Sequence, residues 1–320
     1  MRGVFLDLNT VDRGDLDLQP LREALPHWDF FQRTAPQEIP DRVRDAEVIV
    51  TNKVLLGAEA IAAAPRLKLV CTAATGTNNI DLAATSERGV PVCNARNYAT
   101  DSVVQHVFAL LLTLVTRMDA YRADIRAGRW SASDQFCLLD HPIRTLAGMH
   151  LGIVGHGVLG QATGRMAEAF GMRVTVAGSL RPDASGADDR PALDDLLPKL
   201  DALSLHCPLT ERTQDLIDAR RLAKMPAGSL LINTARGGLV EPQALAAALR
   251  SGRLGGAGID VVDPEPPPAD HPLLATDIPN LVLTPHTAWA ARSARQNVLE
   301  EVRANIEAFM AGAPRNVVAS

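Results

Sequence analysis

Short runs of apolar residues alternate along the chain with longer segments in which apolar residues recur every three or four positions. The short runs are typical of buried strands, and the periodic segments are typical of amphipathic helices. Their alternation, almost from the first residue, predicts an α/β fold with a parallel sheet. The predicted strands are Val4–Leu6, Val48–Thr51, Leu69–Thr72, Leu151–Val154, Val174–Val176, Ala202–Leu205, Leu230–Ile232, Gly258–Val261 and Leu281–Leu283.

The predicted strands fall into two groups, so we expect two α/β sheets, the first ending near residue 98. A chain of 320 residues is long enough for two domains of ordinary size. Between the groups, the pattern predicts one helix over 101–126, with Asp101 as its N-cap and apolar side chains on most of its faces. Such a helix must be buried, between the domains or against another subunit. We interpret it as a connecting helix with a role in dimer formation.

The clearest motif is a glycine-rich turn between a strand and a helix. The sequence Gly-His-Gly-Val-Leu-Gly at 155–160 follows a predicted strand and opens a predicted helix, Gln161–Phe170. Such a turn brings backbone amides and a helix N-terminus to a pyrophosphate, and glycine permits the close approach. This context predicts dinucleotide binding, with an ordinary glycine-rich turn as the alternative. The predicted cofactor contacts here are Gly155, Gly157, Val158, Leu159 and Gly160.

The position that selects between NAD and NADP carries no acid. NAD-binding units usually place Asp or Glu about 20 residues beyond the turn, where it accepts hydrogen bonds from the ribose 2′-hydroxyl. Here the second strand runs into Gly178, and no carboxylate stands beside it in the sequence. Ser179 and Arg181 could donate to a 2′-phosphate, so we favour NADP over NAD. The alternative is that Arg181 is a solvated loop residue and the site accepts both.

Three further stretches place an ionisable residue at or just beyond the end of a predicted strand, where open α/β sheets bind ligands. They hold Arg236 in Asn-Thr-Ala-Arg-Gly, Glu265 in Asp-Val-Val-Asp-Pro-Glu-Pro, and His286 in Thr-Pro-His. Each residue alone could be structural: an arginine in a surface ion pair, an acid in a rigid proline loop, a histidine in a core. Together with the glycine turn, these motifs follow one another in the order glycine turn, N-T-A-R-G, D-V-x-x-x-E-P and P-H. In this order of motifs the chain resembles the D-isomer-specific 2-hydroxyacid dehydrogenases over essentially its whole length.

The resemblance implies roles for these three residues. Arg236 would bind the carboxylate and carbonyl of a 2-keto acid substrate, His286 would donate a proton, and Glu265 would partner the histidine. The chemistry agrees, because reducing a ketone requires hydride at carbon and a proton at oxygen. A carboxylate stabilises the protonated form of a neighbouring histidine, and an arginine fork can hold a carboxylate and a keto oxygen together.

The resemblance also implies a homodimer and a flavodoxin-like substrate domain that closes on a Rossmann cofactor domain. About 100 residues of another α/β unit precede the glycine turn. We therefore expect the cofactor domain, 99–289, to be inserted into a discontinuous substrate domain, 1–98 plus 290–320. A final predicted helix, Ser293–Met310, is free to return to the first domain.

Further site residues follow from the resemblance. Asp260 would contact the nicotinamide amide, and the backbone of Thr234 and Ala235 would line the cofactor. The loop over the adenosine side would contain Cys207, Pro208 and Thr213.

The first domain contributes a loop of small residues. The resemblance implies that backbone amides near Thr75 and Gly76 bind the substrate carboxylate, and exposed amides suit an anion. A plain turn is the alternative. Asn52 and Lys53 follow another predicted strand and could face the same cleft, or they are solvated loop residues.

The loop A-T-G-T-N-N-I-D, with T-P-H-T-A-W ending at Trp289, resembles most the glycerate dehydrogenase and hydroxypyruvate reductase branch. This implies a small substrate such as hydroxypyruvate or glyoxylate. D-Lactate and 2-ketogluconate enzymes share the same three catalytic residues and remain alternatives. A non-catalytic dinucleotide-binding regulator is an alternative of another class, and formate dehydrogenase is disfavoured because Glu265 is present.

Composition narrows the partners and the compartment. A net charge of −5 gives no reason to expect nucleic acid or an anionic membrane. The stretch Val107–Val115 is far shorter than the roughly 20 residues that span a bilayer, and we see no secretory signal. The four scattered cysteines predict reduced thiols in a cytoplasmic protein, and no His or Cys spacing supports a metal site.

Overall fold

The computed structural model of the protein describes residues 1–180 and 188–319. The chain divides into two compact units, one made of Met1–Ala99 with Trp289–Ser320 and the other of Thr100–Ala288. Each boundary differs by one residue from the predicted one. Both units are α/β, which confirms the predicted fold class.

The discontinuous unit contains one sheet of parallel strands, to which the last strand adds antiparallel. Numbered in chain order, its spatial order is β12-β5-β4-β3-β1-β2, which is the flavodoxin-like order with one extra edge strand. The central strands β3 and β4 are buried along their whole length, as strands covered on both faces must be. Its elements are β1 Arg2–Phe5, α1 Gln19–Glu23, β2 His27–Phe30, α2 Ile39–Val43, β3 Val48–Thr51, α3 Ala58–Ala62, β4 Leu69–Thr72, α4 Leu82–Glu87, β5 Val92–Cys93, α11 Arg292–Met310 and β12 Val317–Ala319.

The described residues of the other unit form a six-stranded parallel sheet in the order β11-β10-β9-β8-β6-β7. The strand order reverses between β6 and β8, which is the position where doubly wound sheets open a crevice for a ligand. Its elements are α5 Thr100–Thr116, α6 Met118–Arg126, β6 His150–Val154, α7 Val158–Ala169, β7 Arg173–Val176, α8 Leu193–Leu196, β8 Ala202–Leu205, α9 Ala219–Lys224, β9 Ser229–Asn233, α10 Pro242–Arg250, β10 Leu254–Ile259 and β11 Leu281–Leu283.

The helix predicted over 101–126 is two helices, so that prediction was wrong. The chain breaks at Arg117, whose φ of +55° is left-handed, and α5 and α6 meet at 60°. The first helix begins at Thr100, so Asp101 lies in its first turn and is not its N-cap. The apolar side chains of α5, such as Val107 and Leu111, are buried in this unit's own core with β6 and β9 residues. The apolar pattern of α5 is therefore satisfied within one unit.

Three strands have no clear signal in the sequence. β2, β5 and β12 are short or lie at or next to an edge of the sheet, and tertiary pairing defines them more than their own residues do. The helix after the glycine turn begins at Val158 and not at Gln161. Among the described residues, no single helix is long and apolar enough to cross a membrane, and the bent pair of α5 and α6 passes that test on length and composition alone.

Candidate active site

In the sheet of the 100–288 unit, five strands end at the same level along the carboxyl edge. The last residues of five strands are paired neighbours across it: Val154, Leu205, Asn233, Ile259 and Leu283. The next residue on each strand therefore starts a loop at the same edge. The loops after β9, β10 and β11 carry Arg236, Glu265 and His286 respectively. Parallel sheets bind ligands at this edge.

The glycine-rich turn lies where the strand order reverses. Gly155 has a φ of +97°, and a Cβ built on it would lie 2.5 Å from the carbonyl oxygen of His206 in the loop after β8. Only glycine satisfies both requirements. A Cβ on Gly157 would meet no atom within 4 Å, and Val158, the first residue of α7, is 47% exposed. The N-terminus of α7 is thus open, and its amides fit a pyrophosphate.

The turn that carries Arg236 is fixed by its neighbours. Buried Asn233 accepts a hydrogen bond from the Ala235 amide at 3.0 Å, and its Nδ2 donates to the Arg236 carbonyl at 2.8 Å. A Cβ on Gly237 would overlap the carbonyl group of Val262. The Arg236 turn therefore packs, backbone on backbone, against the loop that leads to Glu265.

Glu265 and His286 form a close pair. His286 Nδ1 lies 2.6 Å from Glu265 Oε2, and the Val262 amide donates to Oε1 at 3.1 Å. A carboxylate can only accept, so the shared proton belongs to Nδ1, and Nε2 is left for a substrate. The two side chains are 28% and 33% exposed. The pair can therefore hold a proton at Nε2 and remain open to a small molecule.

Asp260 holds the loop that carries His286. This residue is 1% exposed, and its Oδ1 accepts from Thr284 Oγ1 at 2.6 Å and from the Thr287 amide at 2.9 Å. Oδ2 accepts from the Ala288 amide at 2.9 Å, and the Asp260 carbonyl accepts from the His286 amide at 2.7 Å. His286 has a φ of +53°, which is uncommon for a residue with a side chain. Four hydrogen bonds to one residue keep the loop in this conformation.

Comparison with known proteins identifies the family. Residues 108–288 match the model of the D-isomer specific 2-hydroxyacid dehydrogenase, NAD binding domain. The chain belongs to this family. It is 43% identical over 310 residues to the glycerate dehydrogenase of Methylorubrum extorquens, which covers 96% of this chain and 97% of that protein.

Two further relatives extend over both units of the dehydrogenase. The hydroxypyruvate reductase of Blautia hydrogenotrophica is 36% identical over 323 residues, covering 99% of each chain. A crystal structure of a protein from Thermus thermophilus has a TM-score of 0.86 and 36% identity, covering 100% of both chains. The resemblance inferred from the motifs is thereby confirmed, and so is its enzymatic character: this is an oxidoreductase of the D-2-hydroxyacid dehydrogenase class, with a nicotinamide cofactor.

The ribose end of the predicted cofactor site contains a carboxylate that the sequence did not indicate. Asp188 Oδ2 accepts from the Ser179 amide at 2.6 Å and lies 3.7 Å from a Cβ built on Gly178. The Arg190 guanidinium donates to both oxygens of Asp188 at 2.6 Å. Arg190, and then the Ser179 amide, hold the pKa of Asp188 well below its ordinary value. Arg181, predicted to bind the cofactor, lies outside the described residues.

The loop after β8 is held by its own hydroxyl groups. Buried Thr213 donates to the Pro208 carbonyl at 2.8 Å and accepts from the Thr210 amide at 2.7 Å. Burial raises the pKa of Cys207 to about 11, so its thiol stays protonated near neutral pH. Cys207 is therefore a residue of the pocket wall and not a nucleophile. Thr234, on the next loop, has a buried hydroxyl with no hydrogen-bond partner among the described residues.

The predicted substrate residues of the first domain lie in the discontinuous unit. Asn52 is buried, its amide donates to Asp7 at 2.9 Å and its Nδ2 donates to Thr10 at 3.0 Å, so it is not a solvated loop residue. Thr75 donates its hydroxyl to the Ala95 carbonyl at 2.9 Å, in the same loop as Gly76. Trp289 packs edge-on against Tyr98, with ring centroids 6.3 Å apart.

Two residues that contact the loop carrying His286 have no motif to mark them. His106 and Ser102 lie on α5, a helix whose apolar pattern indicates only burial. His106 Nε2 is 2.9 Å from Thr284 Oγ1, and Ser102 Oγ donates to the Ala288 carbonyl at 2.6 Å. The one available signal is that Ser102 and His106 stand four positions apart on a mainly apolar helix, and it does not specify a partner.

Proposed function

We propose that this dehydrogenase reduces hydroxypyruvate and glyoxylate to the corresponding 2-hydroxy acids, giving the D-isomer where the product is chiral. In this proposal His286 is the proton donor, Glu265 its partner, and Arg236 the ligand of the substrate carboxylate and carbonyl. The observation that carries it is the 2.6 Å contact between His286 Nδ1 and Glu265 Oε2, at the edge of the sheet where the Arg236 turn also lies.

The chemistry divides between cofactor and protein. A reduced nicotinamide held at the glycine turn would supply the hydride that the carbonyl carbon requires. The oxygen of that carbonyl gains negative charge, and His286 Nε2 delivers a proton to it. Glu265 stabilises the imidazolium before transfer, and Arg236 orients the keto acid through paired hydrogen bonds. Asn52 and the amides of Thr75 and Gly76 are proposed to bind the substrate carboxylate from the discontinuous unit.

The names of the relatives support the substrate class. One is a glycerate dehydrogenase and another a hydroxypyruvate reductase, and both match the whole length of the chain. A panel of 2-keto acids, followed at the nicotinamide absorbance with chiral analysis of the product, tests the proposal. We expect hydroxypyruvate and glyoxylate to exceed pyruvate and 2-ketogluconate in kcat/KM by about tenfold or more. A preference for pyruvate or 2-ketogluconate would overturn the substrate assignment, and turnover by His286→Asn near the wild-type rate would overturn the mechanism.

We propose that NADP is used in preference to NAD. Gly178 contributes no carboxylate, and the charge of Asp188 is offset by Arg190. The residues proposed to hold the cofactor are the glycine turn with Val158 and Leu159, Ser179 and Arg181 at the ribose, Cys207, Pro208 and Thr213 over the adenosine, and Thr234, Ala235 and Asp260 at the nicotinamide. Measuring kcat/KM with NADPH and with NADH gives the answer directly.

We propose a homodimer formed through the end of α6 and the segment that follows it. Phe136 and Leu139 are 89% and 84% exposed, and Ile125, Trp130 and Ile143 are also largely exposed. Apolar side chains in such number on one segment favour a protein contact. Sedimentation of a Phe136→Ser, Leu139→Ser variant should show monomers, whereas Leu55→Ser, an exposed apolar residue of the other unit, should leave the wild-type state unchanged. A wild-type monomer would refute the proposal.

We propose that the enzyme works in the cytoplasm. Cys71, Cys93, Cys137 and Cys207 are free thiols, and reducing compartments keep cysteines in that form. Activity measured in separated cytoplasmic and periplasmic or external fractions of the source cells tests the location.

A further inference from the structure

We propose that Thr284 and His106 are positioning residues of this dehydrogenase, which set the Asp260 carboxylate and, through it, the loop that carries His286. The inference rests on the proposed role of His286 as proton donor. It begins from three hydrogen-bonded side chains, those of Asp260, Thr284 and His106, which share no sequence motif.

The chain of hydrogen bonds has a defined direction. Thr284 Oγ1 lies 2.6 Å from Asp260 Oδ1 and 2.9 Å from His106 Nε2. A carboxylate only accepts, so the hydroxyl proton of Thr284 points to Asp260. The threonine oxygen then accepts from His106, whose Nε2 must carry a proton. His106 Nε2 is also 3.4 Å from Asp260 Oδ1, so the imidazole supports the same oxygen.

Helix α5 contacts both ends of the loop that carries His286. His106 contacts Thr284 at the start of that loop, and Ser102 donates to the Ala288 carbonyl at the end of it. Residues four apart lie on the same face of a helix, so one face of α5 presents both groups. The helix itself is anchored by buried Val107 and Leu111 in the core. A rigid element therefore determines where the loop between these contacts lies.

The buried charge explains why Thr284 is needed. Asp260 is almost completely buried, and a buried carboxylate must have its oxygens satisfied by donors. Without the Thr284 hydroxyl, Oδ1 loses its shortest hydrogen bond and His106 loses its acceptor. The carboxylate can then turn away from the amides of Thr287 and Ala288. His286, held in a left-handed conformation by those contacts, would lose its alignment with the substrate oxygen.

The expected signature is a loss in kcat with little change in binding. Misplacing a reacting group by about 1 Å can cost about 100-fold in rate. We expect Thr284→Val, which keeps the shape and removes the hydroxyl, to lower kcat by about 10- to 100-fold. The KM for the keto acid should stay near the wild-type value. Because Asp260 loses a hydrogen bond and is proposed to contact the nicotinamide, kcat is measured at saturating coenzyme and well below the melting temperature of the variant. Thr284→Ser restores the hydroxyl and should recover kcat to within about threefold.

A matched control is present in the same unit. Thr175 Oγ1 lies 2.8 Å from His150 Nε2, so the chain contains a second histidine–threonine hydrogen bond, away from the catalytic loop. Thr175→Val should leave kcat unchanged. His106→Leu should reproduce the Thr284→Val loss, and the double variant should fall no further than either single one, because both act on one network.

The outcomes separate this inference from the proposed function. Wild-type kcat in Thr284→Val, or an equal loss in Thr284→Ser, overturns the inference, and so does a loss that disappears at saturating coenzyme. In those cases an inactive His286→Asn variant leaves the proposed function standing. An active His286→Asn variant would remove the proposed function, whatever Thr284 does.

Discussion

At the scale of single residues, the catalytic pair depends on charge as well as on distance. Gln can still accept a hydrogen bond from His286 Nδ1, but it cannot stabilise an imidazolium by charge. We therefore expect Glu265→Gln to lower kcat by about 100-fold, within the range usual for general acid catalysis. Stopped-flow or steady-state rates with hydroxypyruvate measure the effect. Asp270→Asn, a change of an exposed acid in the same connecting segment, is the control and should retain wild-type kcat.

Coenzyme selection provides a second prediction at this scale. Asp188→Asn removes a negative charge beside the Ser179 amide and frees Arg190 to donate to a phosphate. The ratio of kcat/KM for NADPH over NADH should rise by about 3- to 10-fold, as expected for one partly exposed charge interaction. Asp189→Asn changes an exposed neighbour and should leave the ratio unaltered. An unchanged ratio in Asp188→Asn would show that other residues distinguish the 2′-hydroxyl of NAD from the 2′-phosphate of NADP.

The residues of the site differ in how far the sequence reveals them. Arg236, Glu265 and His286 stand in short motifs directly after strands, so pattern and chemistry together select them. Asp188 stands ten positions after Gly178 in the sequence, and its approach to Gly178 depends on tertiary structure. The role of His106 likewise could not be predicted. The apolar periodicity of its helix indicates burial, and a single histidine does not change that pattern.

At the scale of elements, two turns of the site are in close backbone contact. A Cβ on Gly237 would overlap the backbone of Val262, and a backbone segment cannot give way as a flexible side chain can. Gly237→Ala should lower the free energy of unfolding by about 1–3 kcal/mol, the usual cost of overpacking. It should also raise the KM for the keto acid, because the Arg236 turn is displaced. Denaturant unfolding and steady-state kinetics measure the two effects.

The matched change for that prediction is Gly57→Ala. Gly57 has a negative φ and open space where a Cβ would lie, so alanine there should cost little. If Gly237→Ala were as stable and active as this control, the two turns would not be in direct contact.

The elements also show where prediction from sequence ends. Most of the buried strands were predicted close to their observed bounds, because local apolar patterns determine them. The exceptions among the predicted elements are β10, which begins four residues before the predicted Gly258, and α7, which begins three residues before the predicted Gln161. The break at Arg117 was not predicted, since apolar residues continue on both sides of it. A bend of this kind depends on what each helix packs against, and that information is not local.

At the scale of the whole molecule, one half-buried histidine couples stability to acidity. Burial lowers the pKa of His206 to about 4 from 6.5. The unfolded chain takes up a proton below pH 6.5, and the folded chain does so only near pH 4. Stability is therefore retained above pH 6.5 and falls between those values, by at most about 1.4 kcal/mol per pH unit from this residue.

His206→Gln removes that uptake. The free energy of unfolding, measured by denaturant at a series of pH values, should decline less steeply between pH 6.5 and 4 in the variant. The exposed His27→Gln serves as the comparison and should keep the wild-type slope. Equal slopes in wild type and His206→Gln would show that folding does not lower the pKa of His206.

The alignment of the five strand ends determines where insertions and deletions in the gene can be tolerated. Removing or adding one residue inside β8, β9, β10 or β11 would shift the following loop by about 3.3 Å and turn alternate side chains to the opposite face. A single-codon deletion there would abolish activity as surely as loss of a catalytic residue. Length variation in this part of the chain is therefore expected only in segments that lie outside the strands. Frame-preserving deletion scanning would reveal the active-site register as a pattern of intolerance along the sequence.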